Sequence, residues 1–226
     1  MIFINPNILF LHIPKTGGNY FTNLFIDFSQ DKNYIRDKSI QDGKNRFSIS
    51  GPITKFKHHR ISYYNSLVNL SDFKIFFIYR DPLDRLLSAF FSPDRMMRQK
   101  HLGKPIEFSY KNFENFVGMQ PSILDFLSLP TLKYKICKFF LFYKVYLPNL
   151  NSLQFLNFNN LQNDTLKFSQ NFNFQIDSSL LEKSLNTSQN KSLKDELLLD
   201  KKIDLIINKS FHCLDKNIKN NFSSID

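Results

Sequence analysis

Ile8-Leu9-Phe10-Leu11-His12-Ile13-Pro14-Lys15-Thr16-Gly17-Gly18 is the stretch from which the fold can be read. The run Ile8 to Ile13 is apolar apart from His12. A short apolar run bounded by proline and glycine predicts a buried strand. After Gly18, the residues Tyr20, Phe21, Leu24, Phe25 and Phe28 recur at threes and fours, the spacing of one helix face. The unit is therefore strand, glycine turn, helix. Backbone N–H groups at the start of such a helix point outward, and its dipole favours negative charge there. Gly17 and Gly18 allow close approach to an anion, Lys15 adds a mobile charge, and Thr16 adds a hydroxyl donor. The lysine precedes both glycines, whereas the nucleotide-binding motif G-x-x-x-x-G-K-[ST] places it after them.

A second unit of the same kind lies further on. Lys74 to Tyr79 predicts a central strand, ended by Arg80-Asp81-Pro82. Pro82 suits a first helical turn and Asp81 an N-cap. Leu83, Leu86, Leu87, Phe90 and Phe91 then follow helical spacing. Arg80 would stand beyond the carboxyl end of a strand, where open α/β sheets bind ligands, and its planar fork suits phosphate. Ser88 follows eight residues later, just over two helical turns on, and can face the same phosphate. Arg85 is expected to add charge or to pair with Asp81 or Asp84.

Elsewhere, residues 30–57 predict a loop, punctuated by Gly43, Gly51 and Pro52, with a short strand near Phe47 to Ser50. Helices are expected at Ser62 to Asn69, Phe113 to Met119, Ile123 to Leu129 and Tyr134 to Leu147, with a charged loop at 92–108. Leu153 to Phe158 predicts a third strand. Leu161 to Phe222 reads as mostly helical with a polar break at Asn186 to Ser192. Strands alternating with helices predict an α/β fold with a mostly parallel sheet. The 226 residues suit one domain, residues 1–226, and 42% hydrophobic content argues against global disorder.

The net charge of +10 is spread along the chain. It favours anionic partners in general over a nucleic-acid-binding tail. Cys137 and Cys213 have no metal-ligand spacing and form no disulfide framework. No metal, integral membrane segment or secretory leader is read from the sequence, so a soluble, cytoplasmic protein is expected.

His12-Ile13-Pro14-Lys15-Thr16-Gly17-Gly18 resembles the 5′-phosphosulfate-binding loop of the sulfotransferase family. Tyr79-Arg80-Asp81-Pro82-Leu83-Asp84-Arg85-Leu86-Leu87-Ser88 resembles that family's 3′-phosphate-binding segment. Phe155 to Leu161 is similar to its late strand and turn, and Leu185-Asn186-Thr187-Ser188 to its Asn-x-Ser segment. The carbohydrate sulfotransferases are the nearest in pattern. Two departures stand out: Asn19 follows the glycines where the family often has Ser or Thr, and no acidic residue lies near Asn159.

The resemblance implies a single P-loop-like three-layer domain, its central mostly parallel sheet flanked by helices. It implies transfer of a sulfuryl group from PAPS (3′-phosphoadenosine-5′-phosphosulfate) to a hydroxyl of an acceptor, a carbohydrate or polysaccharide, leaving PAP. Lys15, Thr16, Gly17, Gly18 and Asn19 would hold the 5′ end, and Arg80 and Ser88 the 3′-phosphate. Lys15 would also act catalytically. His58 or His59 would be the base, since imidazole titrates near neutrality. The alternatives are a nucleotide-dependent kinase-like enzyme and a non-catalytic basic protein that binds anions or nucleic acid. The segments 30–57 and 92–135 would select the acceptor and carry no motif.

Overall fold

A computed structural model of the chain describes residues 2–4, 8–29, 34–37, 46–49, 58–92, 108–128, 153–176, 181 and 191–225. Its main sheet comprises β1 (Ile2–Ile4), β2 (Ile8–Leu11), β5 (Lys74–Tyr79), β6 (Leu153–Asn157) and β7 (Ser223–Ser224), in the order β1-β2-β5-β6-β7. The last four are parallel, and β1 lies antiparallel on the edge. This is the α/β arrangement with a mostly parallel sheet. The edge strand β1 and the short polar β7 were not foreseen. Neither has the apolar length of a buried strand, and each exists because a neighbouring strand offers it a ladder of hydrogen bonds. A separate hairpin pairs β3 (Tyr34–Asp37) with β4 (Arg46–Ile49), so the stretch read as a loop with one short strand holds two.

Side chains alternate across the sheet, as a period of two demands. Leu9, Leu11, Ile75, Phe77, Tyr79 and Phe155 enter one buried cluster, joined by Ile61 and Tyr64 of α2 (Ile61–Asn65) and by α5 (Ile123–Leu127). Phe10, Phe76, Ile78 and Leu156 face the other side. They meet Phe21, Leu24 and Phe25 of α1 (Gly18–Phe25) and Leu161 and Phe168 of α6 (Leu161–Asn171). The many phenylalanines pack edge-on here: Phe168 meets Phe21, Phe25 and Phe76 with centroids 5.1, 5.0 and 4.9 Å away, the geometry aromatic quadrupoles favour. A third cluster joins α3 (Pro82–Phe90) to α4 (Tyr110–Met119), α7 (Lys191–Leu198) and α8 (Lys201–Asn208).

Boundaries shift where polar side chains compete with the helix ladder. The helix foreseen to Asn69 stops at Asn65, because the backbone turns tightly at Ser66 and the Asn69 side chain accepts from Ser71 N–H to begin a new 3₁₀ turn. The helix from Leu161 ends at Asn171, and Asn173 takes a left-handed φ of 54°, a conformation asparagine tolerates at helix ends. Further on, Phe211–Asn217 is 3₁₀ and α9 spans Ile218–Asn221. The segments 93–107, 129–152 and 182–190 lie outside the described residues, and with them the expected helix Tyr134 to Leu147 and the Leu185 to Ser188 segment. Among the described residues no helix is long and apolar enough to cross a membrane.

Candidate active site

Three chain segments leave the carboxyl ends of adjacent parallel strands: His12 onward from β2, Arg80 onward from β5, and Phe158 onward from β6. In a sheet of this kind, that rim is where ligands sit.

The first turn is built on conformations that few side chains adopt. Gly17 has φ 92° and Lys15 has φ 66°. A Cβ on Gly17 would press on Leu161 and Phe158, and one on Gly18 would run into the His12 ring. Both glycines are therefore required by close packing as well as by backbone freedom. Tyr20 and Phe21 donate their N–H groups back to the Gly17 carbonyl, at 2.9 and 3.4 Å, and the helix ladder takes up from there. The backbone ahead of it, around Gly18 and Asn19, carries the positive end of the α1 dipole. The Thr16 hydroxyl faces inward: it is fully buried and donates to the Ile13 carbonyl at 2.9 Å. Its proton thus holds the turn closed, so any grip of Thr16 on an anion falls to its backbone. Lys15 and Asn19 are half-buried.

The second turn begins with the foreseen cap: the Asp81 carboxylate accepts from Leu83 and Asp84 N–H groups, at 2.9 and 3.1 Å, and Pro82 opens α3. Arg80 is 9% exposed. Its Nη1 donates to the Lys15 carbonyl at 2.8 Å, its Nε and Nη2 donate to Asp84 at 2.5 and 3.2 Å, and its guanidinium lies 4.0 Å above the Phe158 ring. The two motifs, distant in sequence, thus touch directly. Burial works to raise the Asp84 carboxyl, but hydrogen bonds and charges from Arg80 and Lys194 more than offset this and hold it below its ordinary value. Ser88 is half-buried, about one helical turn beyond Asp84 on α3.

Arg85 corrects the expectation made for it. It joins neither Asp81 nor Asp84, because its place on α3 turns it toward the core. There it is 3% exposed, donates to the Pro121 carbonyl at 2.8 Å and meets His212 Nδ1 at 3.3 Å, among the charges of Asp215 and Asp125. It is a structural cation.

The two histidines separate. His58 is exposed, and its Nδ1 lies 2.9 Å from the His12 carbonyl, with the two rings edge to face at 4.6 Å. A carbonyl can only accept, so Nδ1 carries the proton of the neutral ring and Nε2 is its basic nitrogen. His12 touches Gly18 on its other side, so His58 stands beside the first turn. His59 stacks flat on Tyr63 at 3.9 Å, and burial lowers its pKa. Tyr79, next to Arg80, is pushed up to about 12, by burial first and then by the charges of Asp81 and Asp215; such a phenol is no base near neutrality.

Sequence reasoning missed Phe158, which braces Gly17 and Arg80 together, and the role of His12 as the support for both Gly18 and His58. Both lie in segments that carry the resemblance, but nothing in the linear pattern marks these contacts. The carboxylate absent near Asn159 is supplied one helical turn later: Asp164 accepts from Asn157 N–H at 2.6 Å and from the Asn160 amide at 2.7 Å, and so fixes the turn after β6.

The family model described as "Sulfotransferase family" matches residues 1–202, a span that contains both turns and both histidines. Comparison with curated proteins found no match, and neither did comparison with solved structures. A match across most of the chain, on an α/β sheet with strand–turn–helix units at its carboxyl rim, shows that this protein is an enzyme of the sulfotransferase family.

Proposed function

We propose that the enzyme moves a sulfuryl group from PAPS to a hydroxyl of a carbohydrate or polysaccharide. The observation that carries this reading is the 2.8 Å contact between Arg80 Nη1 and the Lys15 carbonyl. It ties a turn suited to a phosphosulfate to a fork suited to a second phosphate, as one doubly anionic nucleotide would need. The 5′ end lies along Lys15, Thr16, Gly17, Gly18 and Asn19, where the helix dipole and the glycine backbone favour an anion. The 3′-phosphate lies by Arg80 and Ser88. Arg80 has five N–H donors, and three are committed to protein acceptors, so two remain for phosphate.

His58 Nε2 accepts the proton of the acceptor hydroxyl as its oxygen attacks sulfur. The bond from sulfur to the bridging phosphate oxygen breaks in line, by analogy with phosphoryl transfer. Lys15 stabilises the negative charge that grows on that oxygen, an interaction strongest in the transition state. The products are a sulfate ester, PAP and a proton held on His58. The spread of positive charge (net +10) supports an acceptor that is itself anionic, such as an already sulfated or carboxylated polysaccharide. The family resemblance supports the same class. A composition with two cysteines and no disulfide framework supports a reducing, cytoplasmic setting.

The test is transfer of labelled sulfate from PAPS into a panel of polysaccharides, simple alcohols and tyrosine peptides. Product on the polysaccharides is expected. A thermal-shift series with PAP, ATP and heparin separates the rivals: stabilisation by ATP with magnesium, and not by PAP, would point to the kinase-like enzyme. Stabilisation by heparin alone, lost steeply with salt, would point to a non-catalytic anion binder.

A further inference from the structure

One cation at the second turn belongs to neither motif. Lys194 lies on α7, near the far end of the chain, and is only 7% exposed. Its Nζ meets Asp84 Oδ1, the same oxygen that Arg80 Nη2 reaches at 3.2 Å. Two cationic groups from opposite parts of the chain therefore converge on a single oxygen atom, a concentration of positive charge suited to an anion. Asp84 is already held by two nitrogens of Arg80, so its charge is met without Lys194. Burying an ammonium removes its hydration and its rotamer freedom, and a carboxylate with a partner already in place gives weak reason for it. Among the described residues the cluster has two positive charges against one negative. It also lies beside the residues assigned to the 3′-phosphate, because Asp84 stands four residues from Arg80 and four from Ser88.

We propose that Lys194 binds the 3′-phosphate of the nucleotide together with Arg80, with Asp84 holding the two side chains in place. The proposal rests on the donor reading above and adds a determinant that lies outside both motifs. It also makes α7 part of the nucleotide site, so that the chain distinguishes nucleotides with a 3′-phosphate from those without one through an element far from the two turns.

The test compares the binding of PAP and 5′-AMP, which lacks the 3′-phosphate, by calorimetry on the full chain. Wild type is expected to favour PAP. Lys194→Met is expected to weaken PAP by about tenfold or more, the effect of losing one charge-assisted contact, while 5′-AMP changes little. Lys194→Arg should restore most of the preference. A merely structural tie to Asp84 would weaken both nucleotides alike, or lower Tm alone, and either result overturns the proposal. If Lys194→Met does not fold, Lys194→Gln keeps a hydrogen bond to Asp84 and removes only the charge. Lys194→Gln must then lose the preference for PAP that Lys194→Arg keeps. If wild type does not distinguish PAP from 5′-AMP, the donor reading falls and Lys194 with it. If wild type distinguishes them and Lys194→Met does so equally, only the role of Lys194 falls.

Discussion

Arg80 donates from Nη1 to the backbone carbonyl of Lys15 at 2.8 Å, across 65 positions of sequence. The contact joins the turns after β2 and β5, and it uses the one side chain that can hold a carboxylate, a carbonyl and an aromatic face at the same time. A lysine has neither the fork nor the plane. Arg80→Lys is therefore expected to lower stability by about 1–3 kcal/mol, since buried acceptors on Asp84 and Lys15 lose partners. Arg80→Ala should in addition weaken PAP sharply. Thermal denaturation and calorimetry check the two effects, and unchanged PAP affinity in Arg80→Ala would remove Arg80 from the nucleotide site.

Lys15 combines a left-handed backbone with a mobile charge, and the two can be separated by substitution. Glycine accepts the φ of 66° that costs an L-residue about 1–2 kcal/mol. Lys15→Gly is therefore expected to keep or raise Tm while sulfuryl transfer falls by about a hundredfold or more. Turnover near that of wild type in Lys15→Gly or Lys15→Ala would mean that another group stabilises the leaving oxygen.

Gly18 lies against the His12 ring, which in turn borders His58. A methyl at Gly18 has to displace that ring. Gly18→Ala is expected to cost about 1–3 kcal/mol as overpacking, and to lower turnover through movement of His58. A crystal structure of the variant with His12 and His58 in their original places would refute the linkage.

The two neighbouring histidines should behave in opposite ways. His58→Ala is expected to lose about a hundredfold or more in turnover with little change in Tm, because the ring is exposed. His59→Ala should lose stability, through its stack on Tyr63, and keep most of its turnover. Steady-state kinetics beside thermal denaturation decide between them. If both variants stay active, the base lies elsewhere.

Acid should act on the Asp84 cluster. The folded carboxyl lies below its ordinary value. The stability it contributes is therefore complete above the unfolded pKa and is lost as pH falls through the folded one. Tm is expected to fall as pH drops below the ordinary carboxylate range of about 4, more steeply in wild type than in Asp84→Asn. Parallel slopes in the two proteins would show that other carboxylates govern the acid response.

Much of the fold, and both turns of the site, were legible in the linear pattern, because they depend on local chemistry. An apolar run ended by Pro14 and two glycines makes a strand, a tight turn and a helix whatever else surrounds it. Asp81-Pro82 starts a helix for the same local reason, and the structure has the cap. What tertiary structure alone decided is which side chains meet across the chain. Arg80 reaching Lys15, Phe158 beneath Arg80, and Lys194 on Asp84 all follow from strand order and helix packing, and no spacing encodes them. The same holds for the different surroundings of His58 and His59. Adjacent residues have the same sequence neighbourhood, but one meets the His12 carbonyl while the other stacks on Tyr63. Local propensities act over a few residues, but a catalytic geometry is set by contacts between segments that only the folded sheet brings together.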